Sequence, residues 1–151
     1  IMKVYKEFQF AGILFVLMIP LHLVLVYAYL NQLGDRPLDA TAFTVVNIIF
    51  FVLYLLFYGM TTTVSEEKIT ISYGIGIIRI SIKLNRIKAM REVINPVYVG
   101  WGIRFIRNGI VYNIRGSKAL ELAFRDSTRI VRIGSRNPAI LMEEIDKRLK
   151  T

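Results

Sequence analysis

Residues 8–30 read FQFAGILFVLMIPLHLVLVYAYL and residues 42–60 read AFTVVNIIFFVLYLLFYGM, and neither stretch contains an Asp, Glu, Lys or Arg. At ~1.5 Å per helical residue, each run covers the roughly 30 Å of a bilayer's hydrocarbon core. A helix of that length in a soluble core would carry a polar stripe, and these do not. The reading is a transmembrane hairpin, with spans 8–30 and 42–60 and an external loop 31–41. The first run is too long for a secretory signal and has no small-residue cleavage pattern after it.

Charge sets the expected direction. The leading segment holds Lys3, Lys6 and Glu7, and the loop holds Arg36 against Asp35 and Asp39. From residue 61 onward there are 17 Lys or Arg against 8 Asp or Glu, so the excess of the whole chain (+9) resides in the tail. Positive flanks stay in the cytoplasm. Both termini are therefore expected inside the plasma membrane, with residues 1–61 as the hairpin and 62–151 as a cytoplasmic domain. The chain has no cysteine and one histidine. Disulfides, thiolate chemistry and Cys- or His-rich metal sites are thereby excluded, and neither a metal nor a cofactor is expected.

Within the hairpin, His22 and Asn47 fall at similar depth, about 9–12 Å from the outer end by helical rise. Polar groups at that depth need partners. The two either bond each other or a carbonyl freed by Pro20, or they belong to a proton or ion path. Gly12 and Gly59 match near the inner surface and would let the helices approach closely. Tyr27, Tyr29, Tyr54 and Tyr58 sit near the ends, where amphipathic rings favour headgroups.

After residue 61 the apolar period changes to two. Ile69, Ile71 and Tyr73 alternate with Lys68, Thr70 and Ser72, and Ile78, Ile80 and Ile82 alternate with Arg79, Ser81 and Lys83, around a turn at 73–76. A tight turn and a third strand follow in LNRIKAMREVI, then a long loop in NPVYVGWG. Asn108-Gly109 predicts a two-residue hairpin turn pairing Arg107 with Ile110, Phe105 with Tyr112 and Ile103 with Ile114. Leu120, Leu122 and Phe124 point inward, a turn at 125–127 leads into TRIVRI, and a helix starts with Asn137 as cap and Pro138 in its first turn. Its inner side carries Leu141, Ile145, Arg148 and Leu149. About seven antiparallel strands and one C-terminal helix result.

SEEKITISYG (65–74), VGWGIRFIRNGIVYNIRG (99–116) and RIVRIGSRNPAILMEEI (129–145) resemble the bacterial pleckstrin-homology-like domains of small membrane proteins. The resemblance covers roughly residues 62–149. It implies a mainly-β barrel or sandwich closed by a helix, and a membrane-tethered binding or assembly module; it supplies no active site.

No catalytic constellation is visible: YGIG and VGWG lack the Lys-Ser/Thr of a phosphate loop, His22 lies in the membrane, and Asp126 sits in a turn. The chain reads as a non-enzymatic adaptor or scaffold for a partner protein or anionic headgroups, with homo-oligomerisation as another way to cover its apolar helices. The candidate binding residues are Arg79, Lys83, Arg86, Lys88, Arg91, Trp101 and Arg104, which either attract headgroups or only set topology. Arg107 shares a face with Ile103 and Phe105, and it is either partly buried and paired, with Glu121 as a candidate partner, or at a sheet edge. Trp101 either plugs the barrel end or touches headgroups. Nucleic acid is not expected, because the aromatic residues fall mostly on the buried face. A transport or ion-handling subunit using His22 and Asn47 is the rival reading.

Overall fold

The computed structural model describes residues 3–150. Its elements, in chain order, are β1 (Tyr5–Phe10), α1 (Gly12–Leu30), α2 (Ala40–Phe57), β2 (Gly59–Val64), β3 (Lys68–Tyr73), β4 (Ile78–Lys83) and β5 (Ile87–Ile94). They continue with β6 (Gly102–Ile106), β7 (Gly109–Asn113), β8 (Lys118–Phe124), β9 (Ile130–Gly134) and α3 (Pro138–Leu149). Single 3-10 turns, Leu84–Arg86 and Val97–Val99, precede and follow β5.

α1 and α2 are each long and apolar enough to cross a membrane, and the β structure covers almost none of either helix. Asp39 caps α2, its carboxylate accepting from the Ala42 amide at 2.8 Å. Pro20 lies inside α1. The helices run over 12–30 and 40–57 instead of 8–30 and 42–60: the first starts four residues later, and the second starts two residues earlier and ends three residues earlier. Phe8 and Phe10 belong to a strand before the first helix, and Gly59 and Met60 to a strand after the second. In TyrLysGluPheGlnPhe the burial alternates, with Glu7 and Gln9 inward and Phe8 and Phe10 outward. That inverts the usual pattern for a strand facing an apolar core, and it hid β1 within an apolar run.

Among the described residues, nine strands form two sheets. The first has the order β1-β2-β3-β4 and is antiparallel throughout. The second has the order β5-β8-β9-β7-β6, with β7 and β9 running parallel. Seven antiparallel strands beginning at residue 62 therefore understate the β body: it takes one strand from before the hairpin, and β2 begins at Gly59. The alternation in β3 and β4 holds, with Ile69, Ile71, Tyr73 and Ile82 all buried. Leu120, Leu122 and Phe124 join Ile133, Leu141 and Ile145 in one core between the sheets and α3. Asn137 caps α3, its side chain accepting from the Ile140 amide at 3.3 Å.

The β6–β7 hairpin is displaced by one residue from the Asn-Gly expectation. Ile106 pairs with Gly109, so Arg107 and Asn108 make the turn. The reason lies across the sheet. A Cβ on Gly109 would overlap the carbonyl oxygen of Ile130, and the Ile130 amide donates to the Asn108 carbonyl at 2.8 Å. Glycine is needed here for close approach of β7 to its parallel neighbour, rather than for a left-handed turn.

Candidate functional site

Gln9, Met60, Tyr73 and Ile78 pair in succession and form one rung across the first sheet. One rung further lie Phe10 and Gly59, and then the helices begin, with the Ala11 amide donating to the Tyr58 carbonyl at 2.9 Å. Gly59 therefore packs within a strand pair, where a Cβ would overlap the Phe8 ring. The expected Gly12–Gly59 contact between helices does not form. The rung also reaches the second sheet: Gln9 Nε2 donates to the Gly134 carbonyl at 2.8 Å, and the Tyr73 hydroxyl donates to the Asn113 carbonyl at 3.3 Å. Burial pushes the Tyr73 phenol up, well above its ordinary value. The ends of β7 and β9 thus sit beside the helix-proximal end of the body.

Two buried carboxylates organise the rest. Glu7 of β1 accepts from the Ser135 hydroxyl at 2.7 Å, the Arg136 amide at 2.8 Å and the Tyr5 hydroxyl at 3.2 Å. Burial first, then the neighbouring Glu7 carboxylate, pushes the Tyr5 phenol up to about 12. The buried Arg148 of α3 donates to the Lys3 carbonyl at 2.7 Å, completing the attachment of the leading segment. Glu121 of β8 accepts from Arg91 at 2.6 Å and Arg132 at 2.8 Å, and Arg132 also donates to Asn95 Oδ1 at 3.1 Å. Burial pushes the Glu121 carboxyl up, but the two guanidinium groups together outweigh it and hold it below the ordinary carboxylate value. Both arginines of this triad are thereby committed to structure, and the expected Arg107–Glu121 pair is not formed.

The basic residues singled out from the sequence do not gather. Arg79 stands at the helix-proximal end of β4, while Lys83 ends the same strand, about 14 Å away at 3.4 Å per residue. Arg86 makes a two-pronged pair with Asp126, at 2.7 and 3.3 Å, and its guanidinium lies 5.4 Å from the Phe124 ring centre. Lys88 is exposed on β5, an edge strand, and Arg91 serves Glu121. Only Trp101 and Arg104 come together: Arg104 Nε donates to the Trp101 carbonyl at 3.0 Å. Trp101 is 38% exposed and lies outside the core, so it plugs nothing.

Sequence reasoning missed the surface around that pair. Residues 95–101 link β5 and β6, the two opposite edges of the second sheet. A groove of about 760 Å³ runs beside this link, lined by Tyr98, Val99, Arg104, Phe105, Ile106 and Arg107 among others. Val97, Tyr98 and Phe105 are 88%, 89% and 82% exposed, against the expectation that aromatic residues turn inward. β6 borders the groove and has a neighbour on one side only. The signal in the sequence was a run, PVYVGW, too apolar for a solvated loop.

In the hairpin, His22 Nε2 and Asn47 Oδ1 lie 2.8 Å apart, and Asn47 Nδ2 donates to the Phe43 carbonyl at 2.8 Å. His22 also stacks on Phe50 with ring centres 4.4 Å apart. Among the described residues, no three His, Asp or Glu side chains gather where a metal ion could be held. Compared with known proteins, the chain matches no family model, no curated protein and no solved structure.

Proposed function

We propose that the chain is a membrane-anchored, non-enzymatic binding module. Its pleckstrin-homology-like body sits at the cytoplasmic face and takes an acidic, partly apolar segment of a partner protein in the groove beside β6. One observation carries this reading. The groove of about 760 Å³ joins an unpaired strand edge to exposed Tyr98 and Phe105 and to Arg104 and Arg107. Strand edges offer unmatched N–H and C=O groups to an extended peptide, and aromatic and Arg side chains are the usual energetic anchors of interfaces. The two mainly antiparallel sheets closed by α3 support the pleckstrin-homology-like assignment. The basic residues next to both helices support the orientation. The His22–Asn47 pair supports a structural role for both groups, because each has its polar partner within the hairpin.

The test is a photo-crosslinking amino acid at position 105 in the full chain, activated in native membranes. The expected result is a discrete adduct with another polypeptide, abolished by the double charge reversal Arg104→Glu/Arg107→Glu and absent when the same probe replaces Ile140 on α3. An adduct with a second copy of the chain would replace the partner protein by a homo-oligomer. Adducts with lipid alone, or none, overturn the groove as a protein site.

A further inference from the structure

We infer that the turn between β3 and β4, residues 74–77, is a third membrane contact of the chain, dipping into the interfacial layer beside the end of α2. This rests on the hairpin crossing the bilayer, and on nothing about the groove. The turn is fixed to the helix itself. The Ile75 amide donates to the Leu55 carbonyl at 3.2 Å, and the Gly74 amide donates to the Gly59 carbonyl at 2.8 Å. Gly74 has φ +50°, and a Cβ there would overlap the Leu55 and Leu56 backbone, so the turn lies directly against α2.

Leu55 is two residues from the end of α2, about 3 Å of helical rise. Whatever depth Leu55 reaches, the turn reaches too. At that depth the turn presents Ile75 and Ile77, 55% and 71% exposed. Both are more exposed than covered, and two such isoleucines separated by one residue on a tight turn are poorly placed in water. The helices favour the same outcome: 19 and 18 residues at ~1.5 Å each span about 28 and 27 Å, slightly short of the roughly 30 Å core. A short span draws its flanking structure toward the hydrocarbon.

The apolar surface is continuous on the other flank. Phe10 of β1 stacks on Phe15 of α1 with ring centres 5.0 Å apart, and Phe8 lies 6.3 Å from Tyr58. Arg79 follows two residues after Ile77 and folds back to within 3.3 Å of the space above Gly76. Its aliphatic stem can lie along the apolar turn while its guanidinium meets phosphate. The bilayer is thus held on both sides of the hairpin base, which fixes the tilt of the body and the height of the groove.

The absence of cysteine makes single-site labelling direct. Ile75→Cys, Ile77→Cys, Ser81→Cys and Ile49→Cys would each carry an environment-sensitive NBD dye, in the full chain reconstituted into phosphatidylcholine vesicles. Positions 75 and 77 should be quenched by lipids bearing a shallow nitroxide, with iodide quenching several-fold weaker than at 81, in β4 and away from the turn. Equal iodide quenching at 75, 77 and 81, with position 49 shielded, overturns the turn contact and leaves the hairpin standing. Iodide access at position 49, midway along α2, overturns the hairpin and the inference with it.

Discussion

The helical hairpin and the β body meet the same problem, burying polar groups, in opposite ways. Between α1 and α2 there is one interhelical polar contact, His22 with Asn47, and the outward faces are left to the surroundings. The body binds itself together through Glu7 and Glu121, each a buried carboxylate with two or more donors drawn from distant parts of the chain. A helix satisfies its backbone locally, so its side chains answer mainly to whatever surrounds it. A sheet satisfies its backbone through remote strands, so its residues answer to one another. Substitutions in the body should therefore cost far more than substitutions in the hairpin.

The largest effect separates the two regions by cutting between them. A fragment of residues 62–150 lacks β1 and the first half of β2, and it leaves the Ser135 hydroxyl, the Arg136 amide and the Gly134 carbonyl without their partners, so it should show no cooperative thermal transition by circular dichroism. A sharp transition would mean that β1 is dispensable. Next, Glu7→Ala in the full chain leaves the Ser135 hydroxyl and the Arg136 amide without their acceptor. At about 1–3 kcal/mol per buried orphan, it should lose about 3 kcal/mol in detergent-solubilised unfolding.

Glu121→Gln should cost about 2–3 kcal/mol, less than a fully buried pair would, because Arg91 is largely exposed. Its pH dependence has a definite sign. The folded carboxyl lies below its ordinary value, so its stabilisation is complete above the ordinary carboxylate range and is lost as pH falls through the folded value. Melting curves of wild type and variant should differ most near neutrality and converge in acid. Divergence in acid would mean that burial, not the two arginines, governs Glu121. Gly109→Ala forces β7 away from Ile130 and should cost about 1–3 kcal/mol, the range for overpacking. The smallest effect belongs to the hairpin. His22→Leu should change stability by about 1 kcal/mol or less, the range for interhelical hydrogen bonds, and a larger loss would align the hairpin with the body.

The hairpin and the inward rows of β3, β4 and β8 were legible because their periods depend on local sequence alone. β1 was not, since its inward residues are Glu7 and Gln9, which are polar for the sake of Ser135, Arg136 and Gly134, all more than 120 positions away. The same distance dependence explains the β6–β7 register. Asn108-Gly109 satisfied every local rule for a hairpin turn, and Ile130 of a strand not adjacent in sequence decided otherwise. Charge was read as a patch because Arg79 through Arg91 are close in sequence. Asp126 and Glu121, which occupy Arg86 and Arg91, come from 40 and 30 positions further along the chain. The groove escaped notice for the converse reason: Phe105 follows a strand-like alternation that normally means burial, and Tyr98 sits in a stretch read as a loop.

The pairing of β1 with β2 across the hairpin also fixes an order of assembly. Phe10 and Gly59 are neighbours in space but are separated by 48 residues of chain. In water, closing a loop of that length carries an entropic cost before any strand contact returns it. Under the membrane-anchored reading proposed above, two helices inserted side by side hold the loop closed already, and the two strands leave the membrane facing each other. Insertion of the hairpin should accordingly come first, with the first sheet zipping outward from Phe10 and Gly59. The second sheet would then gather onto Gln9 and Tyr73. On this scheme the bilayer serves as the template on which the β body folds.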